Sequence, residues 1–171
     1  MKSTSAVTLS VVGLFAGVLG GIYGLYQVNH GHPLPTAHPS SLVPMPAIAI
    51  VLAFMAYPIY RYRKQSVEFA KSSATAGPAV RPVRPKRLDP FYAVRVLLLA
   101  KSTSVASAAI AGFHVGLVIL QLSTPVVSTG VWLNIAGVTG SLLAMVVALV
   151  VERICRIPDG GVENGTNEAA A

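Results

Sequence analysis

The sequence predicts an all-α integral membrane protein with four transmembrane helices in two antiparallel hairpins. Of its 171 residues, 53% are hydrophobic and only 11% are charged, whereas a soluble domain carries about a quarter charged residues. Four uncharged runs are each long enough to cross about 30 Å of hydrocarbon. A membrane β-barrel would instead show alternating segments of about ten residues. Outside these runs, too little chain remains for a soluble catalytic domain.

The first helix pair is predicted within residues 1–60. Its first span covers residues 6–26 after a single Lys2. We expect this span to be an uncleaved anchor, because no signal-peptide cleavage pattern follows it. Its second span covers residues 42–60. The prolines near the start of that span cost little, because N–H groups in a first helical turn have no intrahelical acceptor.

The second helix pair is predicted within residues 90–157. Asp89 followed by proline is a helix-start signal, because aspartate can cap the first turn and proline suits the first helical position. The helix that begins there has its membrane span at residues 96–122. The fourth span covers residues 131–151 and ends at Glu152.

Lysine and arginine residues predict the side of the membrane on which each loop lies. Twelve of the 13 lie near the termini or around the loop between the second and third spans, and the connectors 27–41 and 123–130 hold none. Because short cytoplasmic loops retain positive charge, we expect both termini in the cytoplasm. Nucleic-acid binding is not expected, because these basic residues flank apolar runs instead of covering a water-facing surface.

The central loop, residues 61–89, is predicted to be basic and flexible, and the tail, residues 158–171, to be disordered. Basic residues beside a membrane are attracted to anionic lipids by about 1 kcal/mol each. We therefore interpret the loop as a signal for orientation and lipid attraction. The regular proline spacing in its second half leaves open a docking strip for an acidic protein partner.

Small residues at four-residue spacing form ridges on three predicted helices. In lipid, such ridges mark places where helix backbones approach closely. We expect contacts within one chain, with self-association or a partner's helix as the alternative. The third and fourth helices are joined by a short connector, so we expect their ridges to face each other, with Gly112 near Gly140. The predicted packing residues are Gly13, Gly17, Gly21, Ala108, Gly112, Gly116, Gly140 and Ala144.

Lys101 is the one charged residue inside a predicted span. An ionisable side chain there is costly unless it snorkels, pairs or faces water. Because side chains lean toward the helix N-terminus, Lys101 can snorkel to the inner interface. Alternatively, it faces the bundle and binds an anionic headgroup, or it is catalytic. Counting from the outer helix ends places Lys101 at the depth of Glu152. The candidate headgroup site consists of Lys101, Arg95, Arg153 and Arg156.

The other polar residues of the spans are expected to be structural. His114 is predicted to be neutral and bonded to a neighbouring helix, with Asn134 or Gln121 as its partner. The three histidines of the first connector are not expected to hold a metal, because a metal site needs a rigid frame. We found no motif for a nucleophile, a phosphate-binding loop or paired carboxylates, so no cofactor is expected. The structural or interface polar residues are Asp89, Glu152, His114 and Asn134.

Two stretches carry most of a resemblance to a known family, namely RPKRLDPFYAVR at residues 84–95 and VVERICRIP at residues 150–158. The segments LAKS at residues 99–102 and AG at residues 111–112 extend the first stretch. They resemble small actinobacterial four-helix membrane proteins of unknown function, whose genes often lie near those of folate biosynthesis. The resemblance covers residues 84–158 and implies a bacterial plasma membrane, without an established activity. The resemblance assigns the family's characteristic polar residues to these positions: Asp89, Arg95, Lys101, Glu152, Arg153 and Arg156.

The sequence therefore favours a non-enzymatic accessory or scaffold protein of the bacterial plasma membrane. Its basic cytoplasmic face would engage anionic lipids of the bilayer or a membrane or cytoplasmic protein partner. The alternative is a small carrier or lipid-binding transporter with Lys101 in an anion site. An enzyme acting on lipid-linked anions is the third interpretation.

Overall fold

A computed structural model describes residues 4–75, 90–123 and 130–155. The described chain is helical apart from short connecting segments, and its helices are α1 (Ala6–Asn29), α2 (Pro39–Leu42), α3 (Pro44–Thr75), α4 (Pro90–Leu122) and α5 (Gly130–Cys155). Four of them, all except α2, are long and apolar enough to cross a membrane. The all-helical class and the four potential spans agree with the prediction.

Helix α3 is longer than its predicted span. It continues through residues 61–75, which were expected to begin a flexible loop. This segment contains neither proline nor glycine, and charge alone does not end a helix, so the expectation of a loop from Arg61 was wrong. The rest of the predicted loop and the predicted tail lie outside the described residues.

Helix α1 ends in a Schellman motif built around Gly31. This glycine has φ +75°, a left-handed conformation that glycine adopts without steric cost. The Gly31 N–H donates to the Val28 carbonyl at 3.0 Å, and the His32 N–H donates to the Gln27 carbonyl at 3.0 Å. The motif satisfies the last helical carbonyls and turns the chain into an extended connector.

The four long helices pack in the spatial order α1, α4, α5, α3. Helix α1 packs on α4, α4 packs on α5, and α3 packs on α5 and less extensively on α4. Within the described residues, α1 makes no helix contact with α3 or α5. The two helices of the first predicted hairpin therefore lie on opposite sides of the α4–α5 pair.

Helix directions define two ends of the molecule. Helices α1 and α4 run parallel, because Gly13 lies beside Ala108 and Gly24 beside Leu120. Helix α5 runs antiparallel to α4, since its early residue Gly137 lies beside His114. We call the end where α1 and α4 begin the basic end, and the opposite end the connector end.

The main hydrophobic core joins α3, α4 and α5 toward the basic end. It consists of Leu52, Ala56, Ile59, Val96, Ala100, Ala148, Val151 and Cys155. The Tyr92 hydroxyl donates to the Met55 carbonyl at 2.9 Å and ties α4 to α3. The Arg63 guanidinium donates to the Arg153 carbonyl at 3.3 Å, so the extension of α3 places a positive charge on the carbonyl-rich end of α5.

Candidate functional site

Helices α1 and α4 meet along a seam of glycines. The seam residues on α1 follow the 4-3-4 spacing of a parallel helix pair. They are Gly13, Gly17, Gly20 and Gly24. A Cβ on Gly112 would overlap the Gly13 carbonyl, and a Cβ on Gly116 would overlap the Gly17 carbonyl. The two backbones therefore touch directly.

This seam corrects the predicted pairing of ridges. Gly112 was expected to face Gly140 across α4 and α5, but it faces α1. Gly140 instead lies against Pro46 at the start of α3, where an added Cβ would be 3.9 Å from the proline ring. The expectation was wrong because small-residue spacing identifies a closely packed face without identifying the helix that covers it.

An open groove lies between α1 and α5, with α4 as its floor. Its volume is about 750 Å³, and its lining is almost entirely apolar. Side chains that line it include Leu14, Val18, Val115, Ile119 and Leu142. Gly21, predicted as a packing residue, also lines this groove, and a Cβ added there would meet nothing within 4 Å.

Lys101 lies on the groove face of α4, toward the basic end. It is exposed and precedes the groove residue Ala108 by seven residues, which is two helical turns on the same face. Because α1 runs parallel to α4 and Gly13 lies beside Ala108, Ala6 and Lys101, each seven residues earlier, lie at about the same level. Thr4 precedes Ala6 by two residues.

Glu152 lies beyond the same end of the groove. Its carboxylate accepts hydrogen bonds from the Thr4 N–H at 2.7 Å and from the Thr4 hydroxyl at 2.6 Å. The side chain is buried and lies beside the positive N-terminal end of α1, which favours a negative charge. Glu152 follows the groove residue Met145 by two turns, so the bond to Thr4 bridges α5 and α1. We call the region of Thr4, Lys101 and Glu152 the inner mouth.

Two other predicted headgroup residues are exposed toward the same end, Arg95 on α4 and Arg153 on α5. Asp89 and Arg156 lie outside the described residues. Sequence reasoning missed Thr4, whose hydroxyl gives no signal of a bond to a residue 148 positions away.

A family model described as a protein of unknown function, DUF3180, matches residues 7–159. The chain belongs to the DUF3180 family. The matched segment includes all four long helices except the first residue of α1. Neither the curated proteins nor the solved structures gave a match.

At the connector end of this DUF3180 protein, two buried amides hold the chain between α1 and α3. Asn134 Nδ2 donates to Gln121 Oε1 at 3.0 Å and to the Pro35 carbonyl at 3.2 Å. The Asn134 Oδ1 accepts from the Ala37 N–H at 3.0 Å, and Gln121 Nε2 donates to the Pro35 carbonyl at 3.3 Å. The connector is thus fixed where it crosses the ends of α4 and α5.

His114 does not make the predicted bond to these amides. Its Nδ1 lies 2.8 Å from the Ile110 carbonyl of its own helix. Its ring packs on Gly137, where an added Cβ would lie 2.6 Å from His114 Cδ2. The glycine admits the imidazole between the helices, while Asn134 and Gln121 are engaged with the connector.

Proposed function

We propose that this DUF3180 protein is a non-enzymatic accessory or scaffold protein of the bacterial plasma membrane that engages anionic lipids through its basic end. The observation that carries the proposal is the gathering of exposed basic side chains from three helices at that end. They are Arg61, Arg63, Lys64, Arg95, Lys101 and Arg153. Of the acids described there, Glu152 is buried and hydrogen-bonded, and Glu68 is exposed.

The basic end is proposed to face the cytoplasm. The positive-inside rule supports this orientation, because positively charged loops of short length remain on the cytoplasmic side. Cytoplasmic leaflets also carry the anionic lipids to which such charges are attracted. The extension of α3 beyond residue 60 places three of the basic residues on one continuous helix at this surface.

Enrichment of anionic lipid around the protein tests the proposal. The protein is reconstituted in bilayers of phosphatidylcholine that contain a minor fraction of either spin-labelled phosphatidylglycerol or spin-labelled phosphatidylcholine. The motionally restricted fraction of each labelled lipid is measured. We expect phosphatidylglycerol to be enriched around the wild-type protein and this enrichment to be lost in the Arg61→Gln/Lys64→Gln variant. The control Glu68→Gln removes a negative charge from the same helix and should not lower the enrichment. Equal restricted fractions of labelled phosphatidylglycerol and labelled phosphatidylcholine around the wild-type protein would contradict the proposal.

A protein partner at the same surface is the other part of the scaffold proposal. Crosslinking in native membranes followed by affinity purification tests it. A partner that is lost in the Arg61→Gln/Lys64→Gln variant and kept in Glu68→Gln would identify the basic end as its docking surface.

A small carrier is the second candidate, and the groove that leads to Lys101 favours it. A carrier moves its solute across a liposome membrane without any other protein. Flux that requires Lys101 would therefore support this candidate over a scaffold.

A further inference from the structure

We propose that the groove between α1 and α5 holds one acyl chain of an anionic phospholipid whose phosphate is bound by Lys101 at the inner mouth. This inference rests on the proposed function and deepens it, because it replaces a general attraction of the basic end by one lipid in one site.

The length of the groove matches an acyl chain. On α1 its lining runs from Leu9 to Gly21, a rise of about 18 Å, which is close to one leaflet of a hydrocarbon core about 30 Å thick. A single linear chain fits this length.

The chemistry of the lining suits the same occupant. Glycines and alanines on α1 and α4 keep the floor low, and larger apolar side chains such as Leu14 and Leu142 form the walls. Among the described residues, no acidic or basic one lines the groove. Its lining therefore offers contacts to hydrocarbon and no partner to a charged solute.

The charge at the inner mouth identifies the headgroup. Lys101 lies on the same face of α4 as Ala108 and Ile119, which are seven and 18 residues further along and line the groove. Its side chain leans toward the helix N-terminus, hence toward the basic end, where headgroups lie. The carboxylate at this level, Glu152, is buried and accepts two hydrogen bonds from Thr4. The positive charge of Lys101 at the end of an apolar groove complements a phosphate above an acyl chain.

Native mass spectrometry of the purified, delipidated protein tests the site, with phosphatidylglycerol and phosphatidylcholine of identical acyl chains added in turn. We expect one retained phosphatidylglycerol and a preference of about tenfold over phosphatidylcholine, because the choline cation offsets the phosphate charge that Lys101 would bind. Lys101→Gln should reduce this preference to about one while a lipid is still retained. The control Lys101→Arg keeps the positive charge at this position and should keep the preference.

A second pair of variants tests the groove separately from the charge. Val18→Phe fills the groove from α1, where Val18 is 61% exposed, and should abolish retention of either lipid. Val11→Phe makes the same change on α1 at a side chain that is 59% exposed and does not line the groove, so retention should persist. Ile119→Phe, which fills the groove from α4, should repeat the Val18→Phe result. Because all three side chains are exposed, these variants should retain the wild-type thermal stability.

Each of the following outcomes would contradict the proposed lipid site. Equal retention in Val18→Phe and Val11→Phe would mean that the lipid binds elsewhere. An unchanged preference in Lys101→Gln, or an equal fall in Lys101→Arg, would remove the Lys101 charge as the phosphate ligand. Lipid enrichment that depends on Arg61 and Lys64 would then still support the proposed function, so the two failures are distinguishable.

Discussion

At the scale of single residues, Glu152 fixes the start of α1 relative to α5. It is a buried carboxylate whose two oxygens accept from the backbone and side chain of Thr4. In the described residues, this bond is the polar link between the N-terminal end of α1 and α5, since the two helices do not otherwise pack together. Removing it should loosen α1 without disturbing the core that α3, α4 and α5 share.

We expect Glu152→Gln to lower the free energy of unfolding by about 1–3 kcal/mol. Glutamine keeps the volume but presents an NH₂ group to one of the two Thr4 donors. Thermal unfolding in detergent measures the effect, and Glu68→Gln, at an exposed acid on α3, should leave the midpoint nearly unchanged. A Thr4→Val/Glu152→Gln double variant should be no less stable than Glu152→Gln alone, because both changes remove the bond between the Thr4 hydroxyl and Glu152. Additive losses would show that the bond is not the cause.

Asn134 is the second residue with a specific expected effect. Asn134→Leu deprives the Ala37 N–H of its acceptor and the Pro35 carbonyl of a donor, so we expect a loss of about 1–3 kcal/mol. Hydrogen exchange at the Ala37 amide should become faster. Thr139→Val on the same helix is the control, because Thr139 is exposed and bonds only its own helix. Unchanged exchange at Ala37 would contradict the role assigned to the amides.

At the scale of helices, the α1–α4 seam depends on backbone contact, and it predicts opposite effects for two adjacent glycines. Gly20→Ala would place a Cβ on the Phe113 carbonyl, and overpacking of this kind costs about 1–3 kcal/mol. Gly21→Ala meets nothing within 4 Å and should gain up to about 1 kcal/mol of helix propensity. Thermal unfolding of the two variants tests the seam. Equal destabilisation by both changes would mean that α1 does not present this face to α4.

Hydropathy predicted the helices well, and composition predicted their ends less well. The bounds of α4 coincide with the run that starts at Pro90 and ends at Leu122, because proline begins the helix and no breaker interrupts it. The extension of α3 was missed because basic residues indicate the membrane surface and do not indicate a helix end. The small-residue ridges were found, but their partners were not, since a ridge on α4 can meet either neighbour.

At the scale of the whole molecule, the connector between α1 and α3 explains the helix order. Its residues 30–38 can span about 30 Å when extended, enough to cross two helices that lie 8–10 Å from their neighbours. Pro35 and Ala37, which bond to the buried amides, lie in the second half of this segment. The connector after α4 is shorter and favours adjacent helices, so the second pair stays together, whereas the first is divided.

The candidate site could be predicted only in part, because it depends on the order of the helices. Counting residues from the helix ends places Lys101 and Glu152 at one depth, and the packing of α4 on α5 is consistent with that count. The groove depends on the position of α1, which no local pattern specifies. The bond between Thr4 and Glu152 likewise depends on the helix order.

The orientation across the membrane has its own test. In a Cys155→Ala background, a cysteine at Ser40 should react with an impermeant thiol reagent in intact cells, and a cysteine at Gln65 should react only after the membrane is opened. Both native side chains are exposed, so burial does not confuse the comparison. Labelling of Gln65→Cys alone in intact cells would reverse the proposed orientation.

The packing of α1 on α4 underlies both the groove and the proposed lipid site, and disulfide trapping tests it most directly. In a Cys155→Ala background, cysteines at Gly13 and Ala108 should form an intrachain disulfide on mild oxidation, because a Cβ on Gly13 lies 3.5 Å from the Ala108 carbonyl. Cysteines at Gly112 and Gly140 should not, because those residues face α1 and α3. Peptide mass spectrometry of the oxidised protein identifies each crosslink. A crosslink between positions 112 and 140, with none between positions 13 and 108, would contradict the helix order.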